Sequence, residues 1–275
     1  MAAINTNVAA TLTTHALSRN ERALNQSMER LSTGLRINSA ADDAAGLAIS
    51  STMTSQIRGL DMAVKNANDA ISMIQTADGA SIEIGNMLQR MRELAVQAIN
   101  GTQTDTDLDA LNLEFQALIT EVERIADQTQ WNGANLIDDS VGTAGTVTFQ
   151  VGANATQTMT VDFGNLQTGG DLTITGDDID TAATAATALS VIDTDLATLN
   201  AQRAIYGAAI NRLEHTIDNL SNISTNTQAA RSRIQDADYA VETTELARAQ
   251  IVQQAATAML AQANQQQESV LALIK

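Results

Sequence analysis

Apolar residues recur along this chain in alternating steps of three and four. The clearest run is Leu189, Ile192, Leu196, Leu199, Arg203, Tyr206, Ile210, Leu213, Ile217 and Leu220. That spacing keeps one stripe of a helix facing a partner helix. Leu108, Leu111, Phe115, Leu118, Val122 and Ile125 repeat it, ahead of a turn at Trp131-Asn132-Gly133. Further upstream, Leu60, Ala67, Ile74, Leu88 and Ala95 share one seven-residue register, with Ser81 its weak point. These stretches predict helices over 56–99, 108–128 and 187–234. The matched lengths of the first and last predict that they lie side by side, with 108–128 as a third member. Arg203, at a core position of its seam, reads as a register-setting polar residue.

The two ends carry the same rhythm more thinly. Leu17, Leu24 and Leu31 fall seven apart within 3–36, beside Met28 and Leu35. In 236–275 the stripe is Ala249, Val252, Ala256, Met259, Ala263, Gln266, Val270 and Leu273, with glutamines on the other face. The similar reach of the two segments predicts that they pair. Their low apolar density predicts that neither is stable without further partners, and that both order on assembly.

Punctuation between the helices is equally legible. Gly34 signals a stop, Ser39-Ala40-Ala41-Asp42 has capping-box spacing, and Thr104 to Asp107 caps a new helix after Asn100-Gly101. Residues 140–176 change period: Val147, Phe149, Val151 and then Met159, Val161, Phe163 alternate with polar neighbours, which is strand spacing. With turns at Gly152-Ala153-Asn154 and Gly169-Gly170-Asp171, they predict two short hairpins, solvent-facing and leaning on the helices. The fold class expected is mainly α: a long antiparallel helical bundle or coiled-coil rod with small β-hairpins and paired terminal helices.

Composition narrows the function. Only six of 275 residues are aromatic, and there is neither proline nor cysteine. Long unkinked helices fit this; disulfides and thiolate chemistry are excluded. The net charge of −17 lies mainly in the middle of the chain, while the low-charge ends suit surfaces meant to be covered. A phosphate backbone needs a basic stripe, so no nucleic-acid partner is expected. The N-terminus has no basic or apolar signal region, and no run of about 18 apolar residues predicts a membrane span.

Nothing in the sequence assembles a reaction centre. His15 and His215, the only histidines, have no second ligand at metal spacing. Asp42 and Asp43 read as helix-start charges rather than an acid–base pair. Asp177-Asp178-Ile179-Asp180 lacks the glycine and distal glutamate of a calcium loop, and reads as a solvated loop or cap. No enzymatic activity, cofactor or metal is expected.

Residues 29–49, Glu-Arg-Leu-Ser-Thr-Gly-Leu-Arg-Ile-Asn-Ser-Ala-Ala-Asp-Asp-Ala-Ala-Gly-Leu-Ala-Ile, resemble the N-terminal signature of bacterial flagellins. So do Gln89 to Ala98, Gln128 to Gly133, Asp238-Tyr239-Ala240, the stretch from Ala247, and the ending Val270 to Lys275. The resemblance covers about 140 N-terminal and 90 C-terminal residues. It implies a subunit that self-polymerises into the extracellular flagellar filament, without large outer domains. It divides the chain into an inner-tube helix and spoke (1–45), rod helices (46–139), a β-hairpin region (140–180), a C-terminal rod helix (181–235) and a C-terminal inner-tube helix (236–275).

The same resemblance implies secretion by the flagellar type III route without a cleaved signal. It also implies an export chaperone at the C-terminal segment, and cap and hook–filament junction proteins as partners. Host innate immune receptors follow from two motifs. Gln89, Arg90, Glu93, Leu94 and Glu114 resemble the Toll-like receptor surface, with Arg90 and Glu114 as polar anchors and Leu94 as an apolar plug. Leu17, Leu24, Leu31, Val252, Met259, Val270, Leu271, Leu273 and Ile274 are the candidates for filament packing, and the last four resemble the tail read by inflammasome sensors. A hook–filament junction protein would share the paired-end plan with a weaker match over 29–49. A chemosensory coiled coil would lack the hairpins.

Overall fold

A computed structural model describes residues 6–272, with side chains as far as Gln266. Five helices, α1 (Val8–Thr33), α2 (Ala44–Ile99), α3 (Asp105–Gln128), α4 (Ala182–Gln235) and α5 (Tyr239–Ala272), are joined by four short strands. The strands are β1 (Gln130–Trp131), β2 (Ala134–Asn135), β3 (Thr146–Gln150) and β4 (Thr158–Asp162), paired as two antiparallel hairpins. The chain divides into two compact units. One holds residues up to Ser55 and from Thr225 onward; the other holds Gln56–Ser224.

In the central unit, α2 contributes the row Leu60, Ala67, Ile74, Ser81, Leu88 and Ala95, every member buried. The expected weak point, Ser81, is satisfied within the helix, donating its hydroxyl to the Ala77 carbonyl at 2.8 Å. On α3 the buried residues are Leu108, Phe115, Ile119, Val122 and Ala126; on α4 they include Ile192, Asp195, Leu199, Gln202, Tyr206, Ala209, Leu213 and Leu220. Every seventh position matches the apolar seam read from sequence. The intermediate rows sit one residue to the side, so Leu111, Leu118, Leu196, Ile210 and Ile217 are only half-buried.

The Arg203 expectation needs the same correction. Its side chain is 38% exposed and pairs with Asp78 on α2 at 2.9 Å. Gln202 takes the inward position instead.

The β region is more deeply embedded than a solvent-facing appendage. Met159, Val161, Phe163, Leu166, Leu172, Ile174 and Ile179 all belong to the same buried cluster as the helices. Alternation on β4 explains two of them, since Met159 and Val161 point inward between exposed threonines and Asp162. Only one hairpin comes from this stretch: β3 pairs with β4 from Thr146↔Asp162 to Gln150↔Thr158. The second is β1–β2, where Asn132 and Gly133 both adopt positive φ (50° and 84°). That is the backbone an Asn-Gly type I′ turn requires.

Helix ends follow the chemistry of their caps. Thr104 and Asp107 form a reciprocal capping box on α3, holding the Asp107 carboxyl below its ordinary pKa, chiefly through the Thr104 hydroxyl. Ser39 and Asp42 make a similar local lock, with the Asp42 carboxylate accepting from the Ser39 N–H at 2.9 Å and its hydroxyl at 3.0 Å. This lock lies one step before the helix. The cap of α2 is Asp43, whose carboxylate accepts the Gly46 N–H at 2.8 Å.

Candidate assembly surface

The terminal unit is built on an antiparallel pair, α1 against α5. Asn7 opens α1 as its cap, accepting the Ala10 N–H. Gly34 closes it at φ 73°, a left-handed conformation that glycine adopts without penalty. The chain then runs beside the α4–α5 junction: Leu35 bridges to Asp236, and the Arg36 N–H donates to the Gln235 carbonyl at 2.6 Å. The Ala237 N–H returns a bond to the Gly34 carbonyl at 2.9 Å, and the Tyr239 hydroxyl reaches the Leu31 carbonyl.

Leu17, Leu24 and Leu31 lie half-buried on the face of α1 that meets α5. The inward row of α5 is Glu242, Leu246, Ala249, Gln253, Ala256, Leu260 and Ala263. Val252 and Met259, expected in this seam, are displaced outward by one position, where Met259 is 60% exposed. Both sets keep a 3-4 spacing from Ala249; Glu242 and Leu246 fix which phase faces α1, and steps of four and three from them run through Gln253, Ala256 and Leu260, leaving Val252 and Met259 to the side. The side chains of Val270 and Leu271, and all of Leu273 and Ile274, lie outside the described residues.

Very little of this pair is sealed. Ser27 is the one buried residue of α1, and among the described side chains of α5 the buried ones are Glu242 and Ala249. Large apolar side chains stand in solvent instead: Val8, Leu12 (70% exposed) and Met28 on α1; Val241, Ile251 (66%), Val252 and Met259 on α5. Val241, Val252 and Met259 are separated by 11 and 7 residues. Those intervals are close to whole numbers of turns, so the three share a face. An apolar row of this kind on an otherwise polar helix marks a surface built to be covered.

The other candidate set lies in the central unit. Arg90 on α2 is gripped from two sides, at 2.9 Å by Glu114 on α3 and at 2.9 Å by Glu93 one turn away. The hydrogen bond to Glu114, followed by that to Glu93, raises the guanidinium's pKa further. Gln89 is exposed beside them. Leu94 departs from expectation: it is 1% exposed, packed in the core. It supports this surface from beneath rather than forming an accessible plug, because the 88, 91, 95 and 98 positions carry it around to the inner face.

Two polar residues went unrecognised in the sequence. Asp195 and Gln202 occupy buried positions of α4 and read out backbone in the β region. The Gln202 amide donates to the Asp162 carbonyl at 2.8 Å, and Asp195 receives three donors from Thr173 and Ile174. Their seven-residue separation, each three residues after a buried Ile192 or Leu199, was the available signal. Among the described residues there is no group of acidic and histidine side chains arranged to hold a metal, and no helix long and apolar enough to cross a membrane.

Residues 4–141 match the family model of the bacterial flagellin N-terminal helical region, and residues 189–274 that of the bacterial flagellin C-terminal helical region. A flagellin of Halalkalibacterium halodurans is 51% identical over 251 residues, covering 91% of both chains. A flagellin of Bacillus subtilis is 46% identical over 302 aligned residues, covering 99% of both. The crystal structure of Bacillus cereus flagellin shares 36% identity at a TM-score of 0.51, over 61% of this chain and 94% of that one. Matched by both family models over most of its length, and 51% and 46% identical to these relatives, the chain belongs to the bacterial flagellins, the structural subunits of the flagellar filament.

Proposed function

We propose that the α1–α5 pair is the surface through which this flagellin polymerises, and that its terminal helices become fully ordered only when neighbours cover them. The observation that carries this is the exposed apolar side chains on both helices, Val8 and Leu12 on α1 and Val241, Val252 and Met259 on α5, beside a seam that buries almost nothing. Ordering a residue costs roughly 1–2 kcal/mol in backbone entropy. A seam of half-buried leucines set among alanine and polar side chains offsets only part of that, so neighbouring subunits supply the rest. Filament growth is a non-closing, head-to-tail association, in which each face meets a different face of the next copy.

On this reading, 1–45 and 236–275 form the inner tube and spoke, 46–139 and 181–235 the rod, and 140–180 a small hairpin region braced on the rod. The chain travels outward through the flagellar type III route, its C-terminal segment held by an export chaperone, and meets cap and hook–filament junction proteins. Replacing Leu12, Ile251 and Met259 together by serine is the direct test. Seeded growth, followed by light scattering and electron microscopy, is expected to stop while the central unit keeps its helical signal. Normal growth of that variant would refute the proposal.

The Gln89, Arg90, Glu93 and Glu114 cluster is proposed as a surface read by a host Toll-like receptor. What supports it is an exposed, charge-paired patch carried on two rigid helices. Arg90→Ala and Glu114→Ala are expected to weaken receptor activation by the monomer without lowering its melting temperature appreciably. Unchanged activation would dismiss this assignment.

A further inference from the structure

The terminal pair places polar side chains in its seam where apolar ones would hold it more tightly. The Asn20 amide donates across the pair to the Ala249 carbonyl at 2.7 Å, and the Asn7 amide to the Ala263 carbonyl at 3.2 Å. From Asn7 to Asn20 the chain advances 13 residues, and from Ala263 to Ala249 it goes back 14. Both contacts therefore belong to one antiparallel alignment. Arg30 and Glu242 extend it, with their ion pair at 3.0 Å and the glutamate side chain only 9% exposed. The Leu35↔Asp236 bridge continues the same alignment beyond the helices.

Apolar residues alone would leave the alignment undecided. Leu17, Leu24 and Leu31 recur every seven residues, and so do Ala249, Ala256 and Ala263. A slide of one heptad would set leucines against alanines much as before. A buried polar group breaks that degeneracy, because a misaligned partner leaves it with no hydrogen bond. Glu242 is the most demanding member, since a carboxylate buried without its cation is strongly unfavourable. Nor is Arg30 fully satisfied: its Nε is buried with no partner, so the pair is held for alignment at some expense in stability.

We propose that Asn7, Asn20 and the Arg30–Glu242 pair determine the register of the terminal helices, so that every subunit offers its outer apolar row at one height to its neighbours. This rests on the reading of the pair as the assembly surface. The absence of cysteine from the chain makes engineered cross-links a clean reporter. Leu17→Cys with Gln253→Cys probes the native alignment; Leu17→Cys with Ala249 unchanged and either Leu246→Cys or Leu260→Cys probes a slip of one heptad. In filaments grown from seeds, the native pair alone is expected to cross-link. Adding Asn20→Leu and Glu242→Leu is expected to bring the slipped pairs up to comparable yield. A cross-link pattern that stays native in that background would overturn the proposal.

Charge reversal gives an independent arm. Glu242→Arg alone is expected to slow seeded growth by about tenfold or more, and Arg30→Glu added to it to restore growth to within about twofold. Unchanged growth in the single variant, or no rescue in the double, would overturn the register role. Filaments formed by a chain lacking 236–275 would instead overturn the assembly surface itself, so the two failures are distinct.

Discussion

Asp195, in the N-terminal third of α4, accepts both the backbone N–H and the hydroxyl of Thr173, each at 2.8 Å. Its other oxygen takes the Ile174 N–H at 3.0 Å. One buried carboxylate thus ties the irregular segment after β4 to the helical core. Asp195→Ala would strand these donors, a loss of about 3 kcal/mol. It should appear as a lower urea midpoint with an unchanged slope. An unaltered midpoint would show that the segment is held by its apolar residues alone.

Arg203 should behave oppositely. Its ion pair with Asp78 is more than a third exposed on the arginine side, and such pairs contribute about 0.2–1 kcal/mol. Arg203→Ala is therefore expected to shift the same urea midpoint only slightly. A loss as large as that of Asp195→Ala would return Arg203 to the core role its seam position suggests.

These two residues show where sequence pattern stops being sufficient. The heptad positions Ile192, Leu199, Tyr206, Leu213 and Leu220 were legible because apolar burial is the one reason for that spacing. The flanking row was not, because Leu196 and Asp195 compete for it. The hydrogen-bonding needs of Thr173 and Ile174, more than 20 residues upstream, decide the outcome. Likewise Gln253 displaced Val252 in the terminal pair. The exposed apolar row there, which is the candidate surface itself, arises from residues that periodicity assigns to a seam.

Acid should weaken the local locks at Asp42 and Asp107. Hydrogen bonds from the Ser39 backbone and hydroxyl, and from the Thr104 hydroxyl, hold these carboxyls below their ordinary pKa of 3.8. A carboxyl lowered in the folded state stabilises above the ordinary value and loses that contribution as pH falls through its folded one. Asp42→Asn and Asp107→Asn are expected to lower the melting temperature by a constant amount above about pH 5. The difference from the parent should shrink below the ordinary value. A difference that does not change with pH would contradict this.

Asp177 presents the reverse case. Burial, then the neighbouring Asp195 and Asp178, raise the pKa of its carboxyl from the ordinary value. The ionised form is therefore disfavoured in the fold, and stability is lost as pH rises past the ordinary value. Asp177→Asn is expected to raise the melting temperature at neutral pH and to have little effect at strongly acidic pH. Destabilisation at neutral pH would point to a hydrogen bond made by the charged group.

The central claim is that α5, weakly sealed against α1, serves assembly rather than the fold of the central unit. Truncation after Asp236, seeded with filament fragments and imaged by electron microscopy, tests it most directly. The account predicts a soluble chain that retains a cooperative helical melting transition and forms no filaments. Filaments of normal diameter from that chain would contradict it.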